Sequence, residues 1–449
     1  MTATTVDSAP RRGSSVLAML QRIGRSLMLP IAVLPAAGIL LRLGQKDMLG
    51  ADGLEWNRVA EIVLQAGEAL FTALPLLFAV GVAIGFAKKS DGSTALAAVV
   101  GYLVYDRVSK VMFSHSDELK GKVLITKIQD GVPTEVIDYG AKGLTDVIGG
   151  ILIGLTAALL YQRFYRVKLP AYLAFFGGRR FVPIITAFAA VIIGVVIGFV
   201  WPLFGGWLTD FGNWVTGAGA VGAGVYGVVN RLLLPFGLHH IPNSLIWFVF
   251  GDFKGDSGVV HGEINRYLAG DPDAGGFLAG YFPVLMFGLP GAAFAMWRAA
   301  PAHRRPAVGG IMLSAALTAF VTGITEPIEF SFMFVAPVLY AVHVVLTGIS
   351  MAVMEAVGAQ LGFSFSAGGI DLLLNATKDN TEKLPLILGM GVLYFFVYYF
   401  IFKFMIEKFN FATPGREPEG EESVAADPNV DPELAGGKKG GTQGSPAGG

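Results

Sequence analysis

Between Arg305 and Glu355 the sequence carries only two formal charges, Glu326 and Glu329, inside a stretch rich in Leu, Val, Ala and Phe. An ionised carboxylate at bilayer depth costs roughly 2.5 to 3.5 kcal/mol on insertion scales. Two of them three residues apart demand a polar cavity or partners. A binding or transport site is the first expectation, and a carboxylate pair that only fixes helix packing is the alternative. Pro327 has no N–H to give, which suits the first turn of a helix, and Thr325 before it suits an N-cap. The stretch Gly323 to Phe332 therefore predicts a helix start at membrane depth, as in a broken helix or re-entrant hairpin lining a site.

Composition extends this reading to the whole chain. At 53% hydrophobic, 15% charged and a mean hydropathy of +0.59 over 449 residues, it falls outside the range of soluble domains and predicts an all-α polytopic membrane protein surrounded by lipid. The 60 glycines fit close helix packing, and the apolar runs suit helices of about 20 residues rather than barrel strands. A net charge of −1 with no basic block gives no sign of nucleic acid as a partner. The sequence has no cysteine, which excludes disulfides, thiolate metal sites and a phosphocysteine on this polypeptide. No cofactor and no metal site is expected.

In chain order, residues 1–14 are polar and lack a signal-peptide core, so a disordered cytoplasmic start is expected. An amphipathic approach and a span kinked at Pro30 and Pro35 follow over 16–43, then segments at 58–87 (ending at Lys88-Lys89) and 93–113. The polar excursion 114–144 places β-branched residues on both sides of Asp130-Gly131 and predicts a short β-hairpin. Further spans are expected at 145–162, 181–203 and 204–229. Segments 230–250, 306–345 and 357–376 are interrupted by Gly, Pro, His, Asn and Glu, whereas 277–299 and 384–406 read as uninterrupted spans. Interrupted helices beside intact ones are the sign of a substrate-carrying half. Residues 411–449 read as a disordered cytoplasmic tail. The Lys/Arg distribution places both termini and every second loop in the cytoplasm.

A second chemical stretch, Asn230 to Asn243, sets Arg231, His239, His240 and Asn243 in an apolar frame broken by Pro235 and Gly237. Guanidinium donors suit sugar hydroxyls, and imidazole can donate, accept or carry a proton. A packed histidine satisfied by backbone is the competing reading for both, most of all for His240. A third stretch, Gly362 to Asp371, alternates Phe and Ser, which suits a pyranose ring and also plain packing.

Together these stretches resemble the membrane-spanning IIC component of the bacterial sugar phosphotransferase system, glucose/N-acetylglucosamine group. The resemblance is carried by Gly24-Arg25-Ser26-Leu27-Met28-Leu29-Pro30 with Val33-Leu34-Pro35, by Phe175 to Pro183, by Asn230 to His239, by Thr325 to Phe330 and by Phe363 to Asp371. Within the group, His261 to Asp271 and Phe287 to Ala293 look most like N-acetylglucosamine carriers, with glucose the nearest rival. The resemblance implies a bacterial cell-membrane homodimer of the glucose-superfamily IIC fold, with about ten membrane helices of roughly 20 residues each plus two re-entrant hairpins. It implies a scaffold and dimerisation half at 15–228 and a substrate-binding transport half at 229–410.

Arg231, His239 and Glu326 match positions that contact sugar in such proteins; Asn243, Glu329 and Ser366 are added as sugar ligands on chemistry alone. The implied function is import of N-acetylglucosamine with coupled phosphorylation by a separate phosphorylated IIB protein, Glu326 or His239 taking the proton of the reacting hydroxyl. The chain is then the membrane subunit of a sugar phosphotransferase and carries no phosphorylation site itself. A proton-coupled transporter that releases unmodified sugar is the rival class. Glu355 has no role in either.

Overall fold

A computed structural model of the chain describes residues 33–417, apart from 88–89, 117–118, 130–131, 141–144, 237, 249 and 256–257. The expected start at 1–14, the Gly24 to Pro30 motif, Lys88-Lys89, the Asp130-Gly131 turn and residues 418–449 lie outside the described residues. Helices dominate. The first five are α1 (Leu34–Leu43), α2 (Asn57–Thr72), α3 (Leu74–Phe86), α4 (Gly92–Ser114) and, after a hairpin of β1 (Leu124–Gln129) and β2 (Val132–Ile137), α5 (Asp146–Phe164). Then come α6 (Phe181–Gly217), α7 (Gly219–Leu233), α8 (His240–Phe248), a second hairpin of β3 (Asp252–Gly255) and β4 (Gly258–His261), and α9 (Glu263–Leu268). A run from Gly276 to Ala299 ends in α10 (Leu289–Ala299) and is followed by α11 (Arg305–Thr322), α12 (Glu326–Phe332), α13 (Pro337–Ala356), α14 (Gly369–Asn375) and α15 (Leu384–Phe409).

Seven of these helices or helix runs are long and apolar enough to cross a membrane, or eight if α2 and α3 count as one span bent by 50°. The bend falls where Pro75 occupies the first turn of α3, a position that needs no N–H partner. Pro35 likewise sits in the first turn of α1. The expected division between spans at 203/204 is corrected by the structure. Pro202 lies inside α6, which continues to Gly217, and the chain breaks at Ala218-Gly219, where Gly219 takes φ +53°. An interior proline removes one helix hydrogen bond, and neighbouring backbone in a membrane helix can absorb that loss. At about 1.5 Å per residue α6 is roughly 55 Å long, well beyond a 30 Å hydrocarbon core.

The hairpin at 124–137 forms with the antiparallel register Leu124↔Ile137 through Gln129↔Val132. β1 begins only at Leu124, because Lys120–Val123 close a helical turn first.

The chain divides into two compact units, one of residues up to Phe282 with Val344–Gly389, the other of Pro283–His343 with the residues from Met390 onward. The core of the first is built where α3, α4, α5 and α6 meet, from alanines as much as from large residues: Ala79, Ala83, Ala97, Ala98, Ala157 and Ala158 are all fully buried. Helices approach backbone to backbone there. A Cβ on Gly150 would lie 2.2 Å from the Pro75 carbonyl oxygen, and one on Gly154 would lie 2.5 Å from that of Ala79. In the second unit, residues 411–417, expected as the start of a tail, are instead held in place. Arg304 donates to the carbonyls of Gly415 and Glu417, Arg416 donates to that of Ala299, and Thr413 is buried.

Candidate functional site

The interrupted segments are interrupted where the sequence suggests. In the first unit, α7 ends at Leu233, Pro235 sits in a single 3-10 turn, and helix resumes at His240. The last turn of α7 and the first of α8 carry the polar groups. Arg231 is buried, its guanidinium carbon 5.4 Å from the centre of the Tyr281 ring, a cation–π geometry. The His239 and His240 rings lie tilted against each other with centres 4.0 Å apart, and His240 is also tilted against Phe78 at 5.4 Å. His239 Nδ1 and His240 Nε2 are buried without a hydrogen-bond partner among the described residues. A buried imidazole nitrogen left so is a ready partner for a ligand hydroxyl.

Asn243 is oriented rather than free to rotate. Its Oδ1 accepts from the Tyr226 hydroxyl (2.8 Å) and from the Asn230 side-chain amide, so its own NH₂ is the end left to donate elsewhere. It lines a narrow cavity with His240, Trp247, Ser364 and Phe365. The cavity measures about 40 Å³. Since one water centre needs roughly 10–15 Å³, it takes a few waters and no hexose.

The wall at Ser364 is set by Asp371 on α14. This buried carboxylate accepts from the backbone N–H of Ser364 (2.6 Å) and of Ser366 (3.5 Å), curling the chain so that Phe365 rests against Gly38 of α1. The loop is braced further by Arg42, fully buried on α1, which donates to the Leu374 carbonyl (3.0 Å) and makes a two-point pair with Asp47 (2.7 and 2.6 Å). Burial acts to raise the Asp47 pKa, but the Arg42 hydrogen bond and charge, with the charge of Lys378, outweigh it and hold the carboxyl below its usual range. On α9, burial pushes Glu263 up to about 7 against the opposing pull of the Gly275 N–H and Arg266, and the nearby charge of Glu355 adds to the rise. Glu355 itself lies against Gly276, where a Cβ would be 2.1 Å from its Oε2.

In the second unit, α11 ends in a left-handed Gly323 (φ +73°), and α12 starts at Glu326 with Pro327 in its first turn, as the sequence predicts. Thr325 occupies the N-cap position, but its hydroxyl makes no cap. It donates to Glu329 Oε2 (3.0 Å), while its backbone N–H donates to Glu326 Oε2 (3.1 Å). Glu329 is 0% exposed, and its other oxygen accepts from His343 Nε2 (2.9 Å). Glu326 is half-buried.

Among the sequence-predicted residues, Asn243 lines the cavity of the first unit, Ser366 lies in the loop that walls it, and Arg231 and His239 sit on either side of the helix break. Glu326 and Glu329 share one turn of α12 but face different surroundings. Sequence reasoning missed Tyr226, Asp371, His343 and Tyr398. His343 had a signal, being the one further side chain of the sequence run 306–354 that can carry charge near neutral pH; the tyrosines had none.

A chain of apolar spans with helix breaks that gather arginine, histidine, asparagine and carboxylates is a membrane carrier for a polar solute. The particular kind is the EIIC component of the phosphotransferase system: the family described as "Phosphotransferase system, EIIC" matches residues 24–348, and the chain belongs to it. It is 53% identical over 425 residues to the PTS system N-acetylglucosamine-specific EIIC component of Streptomyces coelicolor, covering 94% of this chain and 98% of that protein. It is 44% identical over 409 residues to the N-acetylglucosamine-specific EIICB component of Bacillus subtilis, covering 91% of this chain and 81% of that one. Against the N-acetylglucosamine-specific EIICBA component of Escherichia coli it is 44% identical over 421 residues, 93% of this chain but only 59% of the relative. The fold is similar to that of the transporter ChbC, the IIC component of the N,N'-diacetylchitobiose-specific phosphotransferase system, with a TM-score of 0.53 at 15% identity over 89% of this chain and 95% of that one.

Proposed function

We propose that this chain imports N-acetylglucosamine while a separate IIB protein phosphorylates it. The observation that carries the choice of sugar is the 53% identity, over almost the full length of both chains, to a relative whose name specifies that sugar. Arg231, His239 and Glu326 each contact the sugar, with Asn243 donating from its fixed amide. The 6-hydroxyl oxygen attacks the phosphorus of a phosphocysteine on IIB; the O–P bond forms as the S–P bond breaks, thiolate leaves on IIB, and the hydroxyl proton passes to Glu326 or His239. This sequence contains no cysteine, so the thiol is the partner's. In the same reading the chain is a homodimer with cytoplasmic termini and about ten spans of roughly 20 residues. Residues 15–228 serve as scaffold, 229–410 carry the sugar, and α12 and the loop before α14 are the tips of two re-entrant hairpins.

The test uses membrane vesicles containing the full chain, with purified phosphorylated IIB added outside or withheld. N-acetylglucosamine 6-phosphate should form only with IIB, and Glu326→Gln should abolish its formation while leaving the oligomer intact. Uptake of unmodified sugar without IIB, driven by a proton gradient, would establish the rival class. Glucose, the nearest rival by resemblance, is the competitor to include; stronger inhibition by glucose than by unlabelled N-acetylglucosamine would reassign the substrate.

A further inference from the structure

The two carboxylates of α12 are alike in sequence and unlike in surroundings. Glu326 is half-buried and held by the Thr325 N–H; Glu329 is sealed, with Thr325 Oγ1 on one oxygen and His343 Nε2 on the other. With Glu329 as the acceptor, His343 donates from Nε2. Its Nδ1, in a neutral ring, then accepts from the Tyr398 hydroxyl at 2.8 Å. His343 and Tyr398 are both 0% exposed. A continuous line of hydrogen bonds therefore runs from Tyr398 on α15 through His343 on α13 to Glu329, and from Glu329 through Thr325 to Glu326.

We propose that Glu329, His343 and Tyr398 are positioning residues that aim Glu326, and that Thr325 is the joint through which they act. This deepens the function proposed above and rests on its claim that Glu326 touches sugar. Seven residues are too few for α12 to hold its own direction, since a helix that short has not recovered its nucleation cost. The left-handed Gly323 and the two residues after it do not fix the direction either, being outside any helix. Buried Ile328 and Phe332 seat the body of the helix, and the grip on Thr325 fixes its first turn. Its hydroxyl is taken by Glu329, and Glu329 is in turn held by a donor from a 20-residue helix. With the hydroxyl pinned, the Thr325 N–H points at Glu326 Oε2 and sets the rotamer of that half-buried carboxylate. Glu329 is thereby a support for the sugar ligand rather than a second sugar ligand.

A residue that works only through Glu326 has an effect that vanishes when Glu326 is gone, whereas a residue that merely stabilises the fold acts equally in both backgrounds. The experiment measures N-acetylglucosamine binding to the purified full chain by calorimetry without IIB, carried to sugar concentrations far above the wild-type Kd. It compares Glu326→Gln, His343→Leu, His343→Gln, Tyr398→Phe and the doubles with Glu326→Gln. His343→Leu is expected to weaken binding about 10-fold or more with Glu326 present and less than about 3-fold in the Glu326→Gln background. His343→Gln, whose amide offers a donor and an acceptor, should recover to within about 3-fold of wild type. Tyr398→Phe keeps the ring and loses one hydroxyl; its smaller loss should also disappear in the double variant, and it carries the test if His343→Leu does not fold. Equal losses in both backgrounds, or undiminished binding by correctly folded His343→Leu, would overturn the inference. Undiminished binding by Glu326→Gln alone would instead overturn the functional reading beneath it.

Discussion

The helices α3, α4, α5 and α6 and the short helices α8, α12 and α14 solve the same problem, burial of backbone in an apolar setting, in opposite ways. The long helices satisfy their backbone internally and then bring small residues together, with Gly150 and Gly154 seated on carbonyls of α3. The short ones leave peptide groups at their ends, and each is accompanied by buried polar side chains: Asn230 and Asn243 at α8, Thr325 and Glu329 at α12, Asp371 at α14. Where these helices are cut, buried polar side chains gather at the described ends.

The sharpest way to break this contrast is at Asp371. Replacing it with Ala strips the acceptor from the Ser364 and Ser366 amides, and two buried donors left unpaired cost about 1–3 kcal/mol each. Sugar binding should fall below detection in calorimetry although the long-helix block remains helical by circular dichroism; retained affinity would mean that the loop does not depend on its carboxylate. A smaller effect, with the opposite pattern, is expected from Gly154→Val. Forcing a side chain onto the Ala79 carbonyl should lower stability by about 1–3 kcal/mol, read as a drop in melting temperature, with sugar affinity of the folded fraction unchanged.

Smaller again is a pH effect at Glu263. Its folded pKa of about 7 lies above the ordinary 4.5, so the folded state holds the extra proton between those values. Stability should then decline as pH rises through that window and level off above it, and Glu263→Gln should flatten the decline. Asp47 carries the opposite sign: its lowered pKa contributes stability that is lost as pH falls through the acid range, so Asp47→Asn should steepen nothing at neutral pH and blunt only the acid limb. The smallest change should come from Ile125→Thr on the exposed face of β1, within about 0.5 kcal/mol by thermal unfolding and without effect on transport.

Most of the helix breaks were legible because proline, glycine and charge mark them in an apolar background, as at Pro235 and at Gly323 to Pro327. The hairpin at 124–137 was legible from its alternation about Asp130-Gly131. The break expected near 203 was not, since Pro202 and the glycines after it signal an ending that lipid and neighbouring helices do not enforce. Thr325 was placed correctly at a helix start, but its hydroxyl answers to a buried carboxylate one turn on, a preference decided by His343 reaching across from another helix. Arg231, His239 and Glu326 came from resemblance and intramembrane polarity; Asp371 was overlooked because a carboxylate beside Gly368-Gly369 reads as an ordinary turn residue until its acceptance of the Ser364 and Ser366 amides is seen.

The carbonyl-to-glycine seating of α5 on α3 has a mechanical corollary. Side chains that interdigitate can change rotamer and let helices slide, but a contact in which Pro75 and Ala79 oxygens meet bare α-carbons has nothing to re-pack. That block has little room to slide, and the dihedral changes of any inward or outward swing are left to the joints next to α8, α12 and α14.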